Sequence, residues 1–266
     1  MADMITLSHL DLAIAALLVL LLAGLSLWMR TGVSGQLLIA AARTVVQLTL
    51  IGLVLKVLFA NAGLGWVALM SLVMLLAAGR EVMVRQERRF RGWRGYAVGT
   101  FSMFLSSFTI TMFALIVILG DDPWYAPQYS IPLLGMLLGN TMSGIAIAMD
   151  RLTHAAWEQR NTIEARLMLG ERWDAAIRDY RRQAVRSGLI PIINAMAAAG
   201  IVSLPGMMTG QILAGVPPVE AVKYQIMIMF LISAGTGLGT LAAVSIGSRH
   251  LFDSRERLCL DRLRAP

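Results

Sequence analysis

Long apolar runs alternate with arginine-rich segments along this chain, and this alternation restricts the fold more than any other feature. A helix needs roughly 20 apolar residues to cross the hydrocarbon layer of a bilayer. The candidate spans are Leu10–Met29, Gln36–Phe59, Gly63–Ala78, Tyr96–Leu119, Ser130–Met149, Gly188–Leu213 and Lys223–Gly247. With 57% hydrophobic and 15% charged residues, a soluble domain would lack polar surface. The sequence predicts an all-α, polytopic membrane protein with about seven transmembrane helices in a single domain, 1–266.

The positions of the cationic residues predict the orientation. Of the 23 Lys and Arg residues, 20 lie in segments that the helical pattern places on one side of the membrane. These segments are the first short loop, the Arg80–Arg94 loop, 150–187 and the tail 249–266. Cytoplasmic loops retain Lys and Arg, so we expect an outside N-terminus and a cytoplasmic C-terminus. Arginines next to a membrane are a topology signal, and we therefore expect the lipid bilayer and not nucleic acid as a partner.

The segment 150–187 is too charged to enter the bilayer, yet its composition is compatible with helix. Gly170 stands where a helix would stop, since glycine adopts the left-handed conformation that ends many helices. We expect two short amphipathic helices around this turn, on the cytoplasmic side.

Small residues recur at four-residue spacing on two of the predicted spans. Gly135, Gly139 and Ser143 share one face, and Gly235 and Gly239 share another. Such faces let a second backbone approach closely. They predict helix contacts within one bundle or, alternatively, an interface between subunits.

The sixth predicted span carries an interruption. From Gly188 to Gly215 it has 28 residues, which as one helix would measure roughly 42 Å, longer than a layer of about 30 Å. Proline removes a backbone hydrogen bond and clashes with the preceding turn. We expect a break at Leu204-Pro205-Gly206. The segment around it is a candidate pathway or gate element, or else an ordinary proline kink.

Few polar side chains lie inside the spans. Those that we take as pathway candidates are Arg43, Gln47, Asn140, Ser143, Asn194, Pro205, Gly206, Met207, Met208 and Gln211. An ionisable residue at membrane depth suggests function, although Arg43 could instead reach the interface and the amides could bond between helices.

Metal ligands are not evident from the sequence. No Asp or Glu lies inside a predicted span, so a hard-cation site lacks its usual ligands. Met207 and Met208 could supply thioethers together with Met136 and Met142, but methionine is also an ordinary core residue. The sequence therefore leaves the metal question open.

Catalytic motifs are missing as well. His9, His154 and His250 fall in separate regions, and the only lysines, Lys56 and Lys223, are not preceded by the glycine of a phosphate-binding loop. We do not expect an enzyme. Active transport would need an ion gradient or an ATPase on another polypeptide.

Two sets of motifs resemble known permeases. Glu164-Ala165-Arg166-Leu167-Met168-Leu169-Gly170 is similar to the E-A-A-x-x-x-G coupling signature of ATP-binding-cassette permeases, with Arg166 in place of the second alanine. The wider pattern resembles the FetB-type permease family. Its motifs here are Arg43-Thr44-Val45-Val46-Gln47-Leu48, Ala78-Gly79-Arg80-Glu81, residues 131–140, and Gly200-Ile201-Val202-Ser203-Leu204-Pro205-Gly206-Met207-Met208-Thr209-Gly210-Gln211.

The resemblance implies a permease subunit in a bacterial inner membrane. It implies a separate ATP-binding-cassette ATPase that binds ATP and magnesium, two copies of each subunit, and coupling through Glu164, Ala165, Arg166 and Gly170. This chain itself would bind no cofactor. Bacterial members of the family are associated with iron export, so iron or an iron-related solute is the expected cargo. A gradient-driven secondary transporter and a permease for a nucleotide-sugar are the alternatives.

Overall fold

The computed structural model describes residues 8–60, 63–120 and 122–264. The α-helices are α1 (His9–Trp28), α2 (Ser34–Ala60), α3 (Leu64–Val84), α4 (Trp93–Met103), α5 (Thr109–Phe113), α6 (Pro127–Glu158), α7 (Arg160–Met168), α8 (Trp173–Ala176), α9 (Arg178–Ala198), α10 (Gly206–Leu213) and α11 (Pro218–His250). Two π-helical segments, Phe104–Phe108 and Ala114–Leu119, flank α5, and a 3-10 turn covers Leu260–Arg262. The protein is helical, as predicted.

The chain forms two compact units. One comprises Met1–Ala62 with Leu213–Val216, and the other comprises Gly63–Ile212 with Pro217–Pro266. In the first unit, Ser8 caps the start of α1. Its hydroxyl accepts a hydrogen bond from the Asp11 backbone N–H at 3.3 Å, and its own N–H donates to the Asp11 carboxylate at 2.8 Å. This reciprocal cap satisfies backbone groups that a helix start leaves open.

Within the second unit, α6 and α11 run parallel. A Cβ placed on Gly235 would lie 3.0 Å from Leu137, and one on Gly247 would lie 2.7 Å from the Met149 methyl group, so positions advance together along both helices. Gly239 also faces α6. The contact inside one bundle is therefore confirmed for Gly235 and Gly239, because the missing side chains let the two backbones approach.

Helix α9 runs antiparallel to α11. The Arg181 guanidinium reaches the Ser245 hydroxyl near one end, whereas Met196 meets Ser233 further along. Since α6 and α11 point the same way, the chain must cross back between Glu158 and Pro218. Helix α9 runs in that return direction.

The number of spans is close to the predicted seven. Six helices in the described part of the chain are long and apolar enough to cross a membrane. The predicted sixth span, Gly188–Leu213, is not a continuous helix, since α9 ends at Ala198 and α10 begins at Gly206. The orientation of the protein relative to the two sides of the membrane stays a prediction, as does the assignment of 1–266 to one domain.

The segment 150–187 is helical, but its boundaries differ from the predicted pair of helices. Helix α6 continues to Glu158, and α9 already begins at Arg178. Only α7 and the short α8 lie between them. Helices α6 and α9 extend beyond their apolar stretches because both pack into a core at this end of the unit, where Leu152, Ile163 and Ile177 are fully buried.

The fourth span contains the two π-helical segments. A π-turn bonds each N–H to the carbonyl five residues earlier and leaves other carbonyls without their usual partner. Hydroxyl groups replace those partners: Ser106 donates to the Ser102 carbonyl at 2.9 Å, and Thr111 donates to the Ser107 carbonyl at 2.7 Å. The sequence analysis did not predict these segments.

Candidate functional site

The α7 helix ends in a turn built around Gly170. The Gly170 N–H donates to the Leu167 carbonyl at 3.0 Å, and the Glu171 N–H donates to the Arg166 carbonyl at 3.1 Å. Gly170 has φ +89°, a conformation that glycine adopts without a Cβ clash. The predicted helix stop at Gly170 is confirmed, and this pair of bonds is the Schellman arrangement.

One side of α7 is anchored and the other is free. Ile163 is fully buried in the core of the unit. Met168 and Leu169, at the end of the helix, are 82% and 85% exposed, and Glu164 and Ala165 are exposed as well. A large exposed apolar pair outside the predicted spans is typical of a surface that contacts another protein.

Arg166 occupies the position where the coupling signature has alanine. Its guanidinium lies 3.4 Å from the Asp179 carboxylate at the start of α9. Both side chains are substantially exposed, so the pair contributes little free energy. Arg166 therefore connects α7 with α9, but this ion pair adds little to the free energy of folding.

The C-terminal tail packs against the turn and α8. The Trp173 N–H donates to the Glu256 carboxylate at 3.1 Å, and the Trp173 ring lies 5.7 Å from the Phe252 ring. Arg249, at the end of α11, places its guanidinium 5.2 Å from the Trp173 ring centroid. Glu164, Gly170 and several tail residues line a cleft of about 750 Å³ here.

The same tail also pairs with the loop between α3 and α4. The Arg91 N–H donates to the Arg262 carbonyl, and the Arg264 N–H donates to the Arg89 carbonyl, each at 2.8 Å. The Glu87 N–H donates to the Asp150 carboxylate at 2.8 Å and links that loop to α6. The three predicted basic segments thus meet at one end of the unit.

The tail turn is held by one carboxylate. The backbone N–H groups of Arg257 and Arg255 each donate to Asp253 at 2.8 Å, and the Arg257 side chain donates at 2.8 Å. The Arg257 backbone bond is the largest cause that holds the pKa of Asp253 below its usual range. The sequence analysis predicted only that the tail is basic and cytoplasmic. The alternation of Leu251, Phe252, Leu258 and Leu263 with charged residues was the missed signal of a packed segment.

The pathway candidates on α6 face away from the bundle. Asn140 is exposed and Ser143 partly exposed, and each donates to a backbone carbonyl of its own helix. Gly139, beside them, has open space where a Cβ would stand. These three residues therefore form a polar, small-residue face at membrane depth, which we call the α6 polar face. Gly135 is different, because it packs against Met74 of α3.

The remaining pathway candidates do not form one cluster. Asn194 is exposed on α9. The break at Leu204-Pro205-Gly206 is present but begins earlier: α9 ends at Ala198, Ala199 is extended, and Gly200 follows at φ +80°. On α10, Met208 is buried and Gln211 is half-buried, with an enclosed side-chain oxygen that has no partner among the described residues.

Five further candidates are exposed or half-buried. Met207 and Gly206 are exposed on α10, and Pro205 before them is half-buried. Arg43 and Gln47 are exposed on α2, in the first unit. Their roles in a pathway stay predictions.

A group of buried hydroxyls was missed in the sequence. Thr141 on α6 and Thr236 and Thr240 on α11 are buried, and within the described residues their hydroxyl oxygens have no hydrogen-bond partner. Ser102 and Ser107, before and within the first π-helical segment, share this property. The spacing of Thr236 and Thr240 next to Gly235 and Gly239 was the available signal.

The described residues contain no group of three or more His, Cys, Asp or Glu side chains that could hold a metal ion.

Comparison with known proteins agrees with this architecture. The family described as "Uncharacterised protein family (UPF0014)" matches residues 9–252. The chain belongs to this family. It is 40% identical over 237 residues to a UPF0014 membrane protein of Synechocystis, slr1647, covering 87% of this chain and 88% of that one. The protein is a multi-pass bacterial membrane protein.

Two further relatives carry more specific names. The chain is 34% identical to Protein ALUMINUM SENSITIVE 3 of Arabidopsis thaliana, over 89% of this chain and 83% of the relative. It is 29% identical to the probable iron export permease protein FetB of Escherichia coli, over 96% of both chains. The resemblance to the FetB-type family is confirmed. No solved structure gives a significant match.

Proposed function

We propose that this protein is the permease subunit of an ATP-binding-cassette transporter that exports iron or an iron-related solute. The relative named a probable iron export permease supports the transport role, because the similarity extends over 96% of each chain. A separate ATP-binding subunit supplies the energy, and ATP and magnesium bind there.

The observation that carries this proposal is the exposed end of α7. A helix anchored by buried Ile163 presents Met168 and Leu169 to solvent at 82% and 85% exposure. The Gly170 turn fixes the direction in which they point. A rigid apolar projection with charged neighbours is suited to insertion into a groove of another protein. It belongs to Glu164–Gly170, the segment whose sequence resembles the coupling signature of ATP-binding-cassette permeases.

The tail connects α7 with α11, one of the candidate membrane spans. Movement of the Gly170 turn would act on Trp173, which contacts Phe252 and Arg249 next to the end of α11. Helix α11 packs along α6, so a displacement at α7 reaches two long helices through direct contacts. This is the connection that a transport cycle driven by a separate ATPase requires.

Two copies of the chain are part of the proposal. The α6 polar face, with Gly139, Asn140 and Ser143, is exposed at membrane depth, where contact of polar groups with lipid is unfavourable. Small residues favour close helix contact. A second permease copy, or the solute between two copies, would cover this face.

The chemical form of the cargo is also part of the proposal. Because no Asp or Glu lies inside a predicted span, a dehydrated iron ion would lose its water without gaining comparable ligands. Iron would therefore cross hydrated or held by a chelator. The exposed amide of Asn140 suits hydrogen bonding to such a complex.

Reconstitution with an ATPase tests the function. The full chain is placed in vesicles with an ATP-binding-cassette subunit encoded by a neighbouring gene, and ATP hydrolysis and iron movement are measured together. We expect iron transport to depend on ATP and on both subunits. Iron transport by the chain alone, driven by an ion gradient, would replace this proposal with a secondary transporter. ATP-dependent movement of a nucleotide-sugar without iron would replace the cargo.

Two variants test the coupling surface. Glu164→Lys reverses a charge beside the exposed apolar pair, and Gly170→Val forces a β-branched residue into a left-handed turn. Both should enter the membrane and lower capture of the ATP-binding subunit about 10-fold or more, as expected for central interface residues. Glu220→Lys is the matched control, because it makes the same charge change on an exposed residue at the start of α11. Equal capture by all three variants would exclude α7 as the docking element.

A further inference from the structure

A second groove lies between α9 and α11, away from the α7 turn. Its volume is about 580 Å³, compared with about 30 Å³ for a water molecule. Arginines of α9 line one end, and apolar residues of both helices line the other. No step of the proposed transport cycle uses this groove.

The order of residues on α9 produces this division. Arg178, Arg182 and Arg186 follow one another at four-residue spacing, and Leu189 and Ile193 continue the same stripe toward the apolar half of the helix. Cationic side chains thus end, and apolar side chains begin, along one face. On the predicted topology, this change falls at the border between cytoplasm and bilayer.

The groove is open on its apolar side. Two apolar residues that line it are half exposed, Ile193 of α9 at 55% and Leu241 of α11 at 50%, while Val244 of α11 is buried. An acyl chain lying between Ile193 and Leu241 would cover surface that neither helix covers.

Three of the four arginines at the groove have no ion-pair partner in the described part of the chain. Within the described residues, no carboxylate lies within ion-pairing distance of Arg178, Arg182 or Arg186, and the nearby Asp179 faces Arg166 instead. Arg181 extends across to α11, where its guanidinium lies 3.5 Å from the Ser245 hydroxyl. Four positive charges therefore line the arginine end of the groove, and among the described residues no carboxylate pairs with them.

We propose that this groove binds one anionic phospholipid of the membrane leaflet that faces the basic segments. The headgroup phosphate would contact Arg182 and Arg186, because a guanidinium donates two hydrogen bonds to a phosphate. One acyl chain would lie against Leu189, Ile193 and Leu241. Basic pockets between membrane helices at this depth are known to suit anionic headgroups. The site is independent of the proposed transport activity, so either can fail alone.

Lipid binding to the purified full-length protein provides the test. Native mass spectrometry measures the affinity for phosphatidylglycerol and for phosphatidylcholine with the same acyl chains. Each arginine near a membrane surface contributes about 1 kcal/mol to anionic-lipid attraction, so Arg182→Gln with Arg186→Gln should lower the affinity for phosphatidylglycerol about 30-fold. Arg85→Gln with Arg151→Gln removes the same charge from exposed positions outside the groove and should change it little. Equal losses in both double variants would overturn a specific site.

A second variant separates a lipid from a free anion. Leu241→Trp fills the apolar part of the groove and leaves every arginine in place. It should weaken binding of phosphatidylglycerol several-fold, and soluble glycerol phosphate should not displace the lipid from the wild-type protein. If Leu241→Trp binds the lipid normally and glycerol phosphate competes, the arginines form an anion site and the lipid proposal fails. Loss of ATP-binding-subunit capture in Arg182→Gln with Arg186→Gln, with lipid binding intact, would assign the arginines to a protein interface and would also overturn it.

Discussion

The two ends of the second helical unit are built differently. At the basic end, the loop 85–92, the segment 159–177 and the tail 251–264 are joined by hydrogen bonds, ring contacts and a buried apolar core. Toward the other end, the turn 199–205 interrupts the crossing between α9 and α10. There Ile201 and Val202 are almost fully exposed.

This difference suggests how a signal could travel. Segments that contact one another at many points move together, because displacing one strains the others. A helix interruption has fewer constraints and can absorb a change in backbone angles. We therefore expect the basic end to move as a body and the turn 199–205 to act as the hinge.

If the two ends have different roles in transport, they should face opposite sides of the membrane. In a Cys259→Ser background, Asp122→Cys should react with an impermeant maleimide from outside the cell, and Arg255→Cys should react only after the membrane is opened. The charge asymmetry is the physical reason. The expected contrast is all or none. Labelling of both positions from the same side would remove the basis for calling one end cytoplasmic.

The middle of the unit should be the most sensitive to added volume. A Cβ on Gly188 of α9 would lie 2.5 Å from the Gly144 carbonyl oxygen and 2.8 Å from the Ala148 Cβ on α6. Overpacking of this kind costs about 1–3 kcal/mol. We expect Gly188→Ala to lower thermal stability in detergent markedly, measured by loss of the monodisperse species on heating.

Gly237→Ala is the control for that measurement. Gly237 lies within α11 with open space around its Cβ position, so alanine should be neutral or slightly stabilising there. If Gly188→Ala were as stable as Gly237→Ala, the close approach of α6 and α9 would not hold the two ends together.

Removing the interruption should uncouple the ends without unfolding them. Gly200→Ala disfavours the left-handed conformation by about 1–2 kcal/mol, and Pro205→Ala supplies the backbone N–H that a continuous helix would need at this position. The double variant should insert normally while ATP-driven transport falls about tenfold. Pro191→Ala is the control, because α9 is already continuous around Pro191. Full transport by the double variant would show that the turn is a passive kink.

Much of this architecture could be predicted from local sequence. Apolar length gave the spans, and the left-handed preference of glycine gave the end of α7 at Gly170. The length of the sixth predicted span indicated an interruption, and the proline placed the expected break at Leu204-Pro205-Gly206. The helix ends earlier, since Ala199 is already extended and Gly200 follows at φ +80°, and residues in an apolar stretch do not reveal their backbone angles in the sequence.

Other features depend on packing between distant segments. The start of α9 at Arg178 could not be recognised from its charge, because Tyr180 and Ala184 on the opposite face pack into the core. The composition of the tail predicts a basic terminus, although Phe252 is buried against α8 and Leu263 is buried against the α3–α4 loop. Such contacts join residues far apart in sequence, and one sequence without an alignment carries no direct signal for them.

The smallest expected effect concerns acid and the tail turn. The backbone N–H of Arg257, with further bonds from Arg257 and Arg255, holds the pKa of Asp253 below its usual range. A lowered pKa means that the ionised carboxylate stabilises the turn fully above the ordinary aspartate range. That contribution is lost as the pH falls through the lowered pKa. We therefore expect the turn to be intact at neutral pH and to loosen only in strong acid.

The single cysteine, Cys259, reports this opening directly. It is half-buried, and its thiol lies 3.5 Å from the Arg257 carbonyl at the edge of the turn. Its reaction with dithiodipyridine, which also proceeds in acid, should accelerate several-fold as Asp253 is protonated. Asp253→Asn removes the charge at every pH, so its thiol should react rapidly already at neutral pH and show no further rise that follows aspartate protonation. Identical rates in both proteins throughout the acid range would mean that other contacts hold the tail, and that its rigidity at the basic end does not depend on this carboxylate.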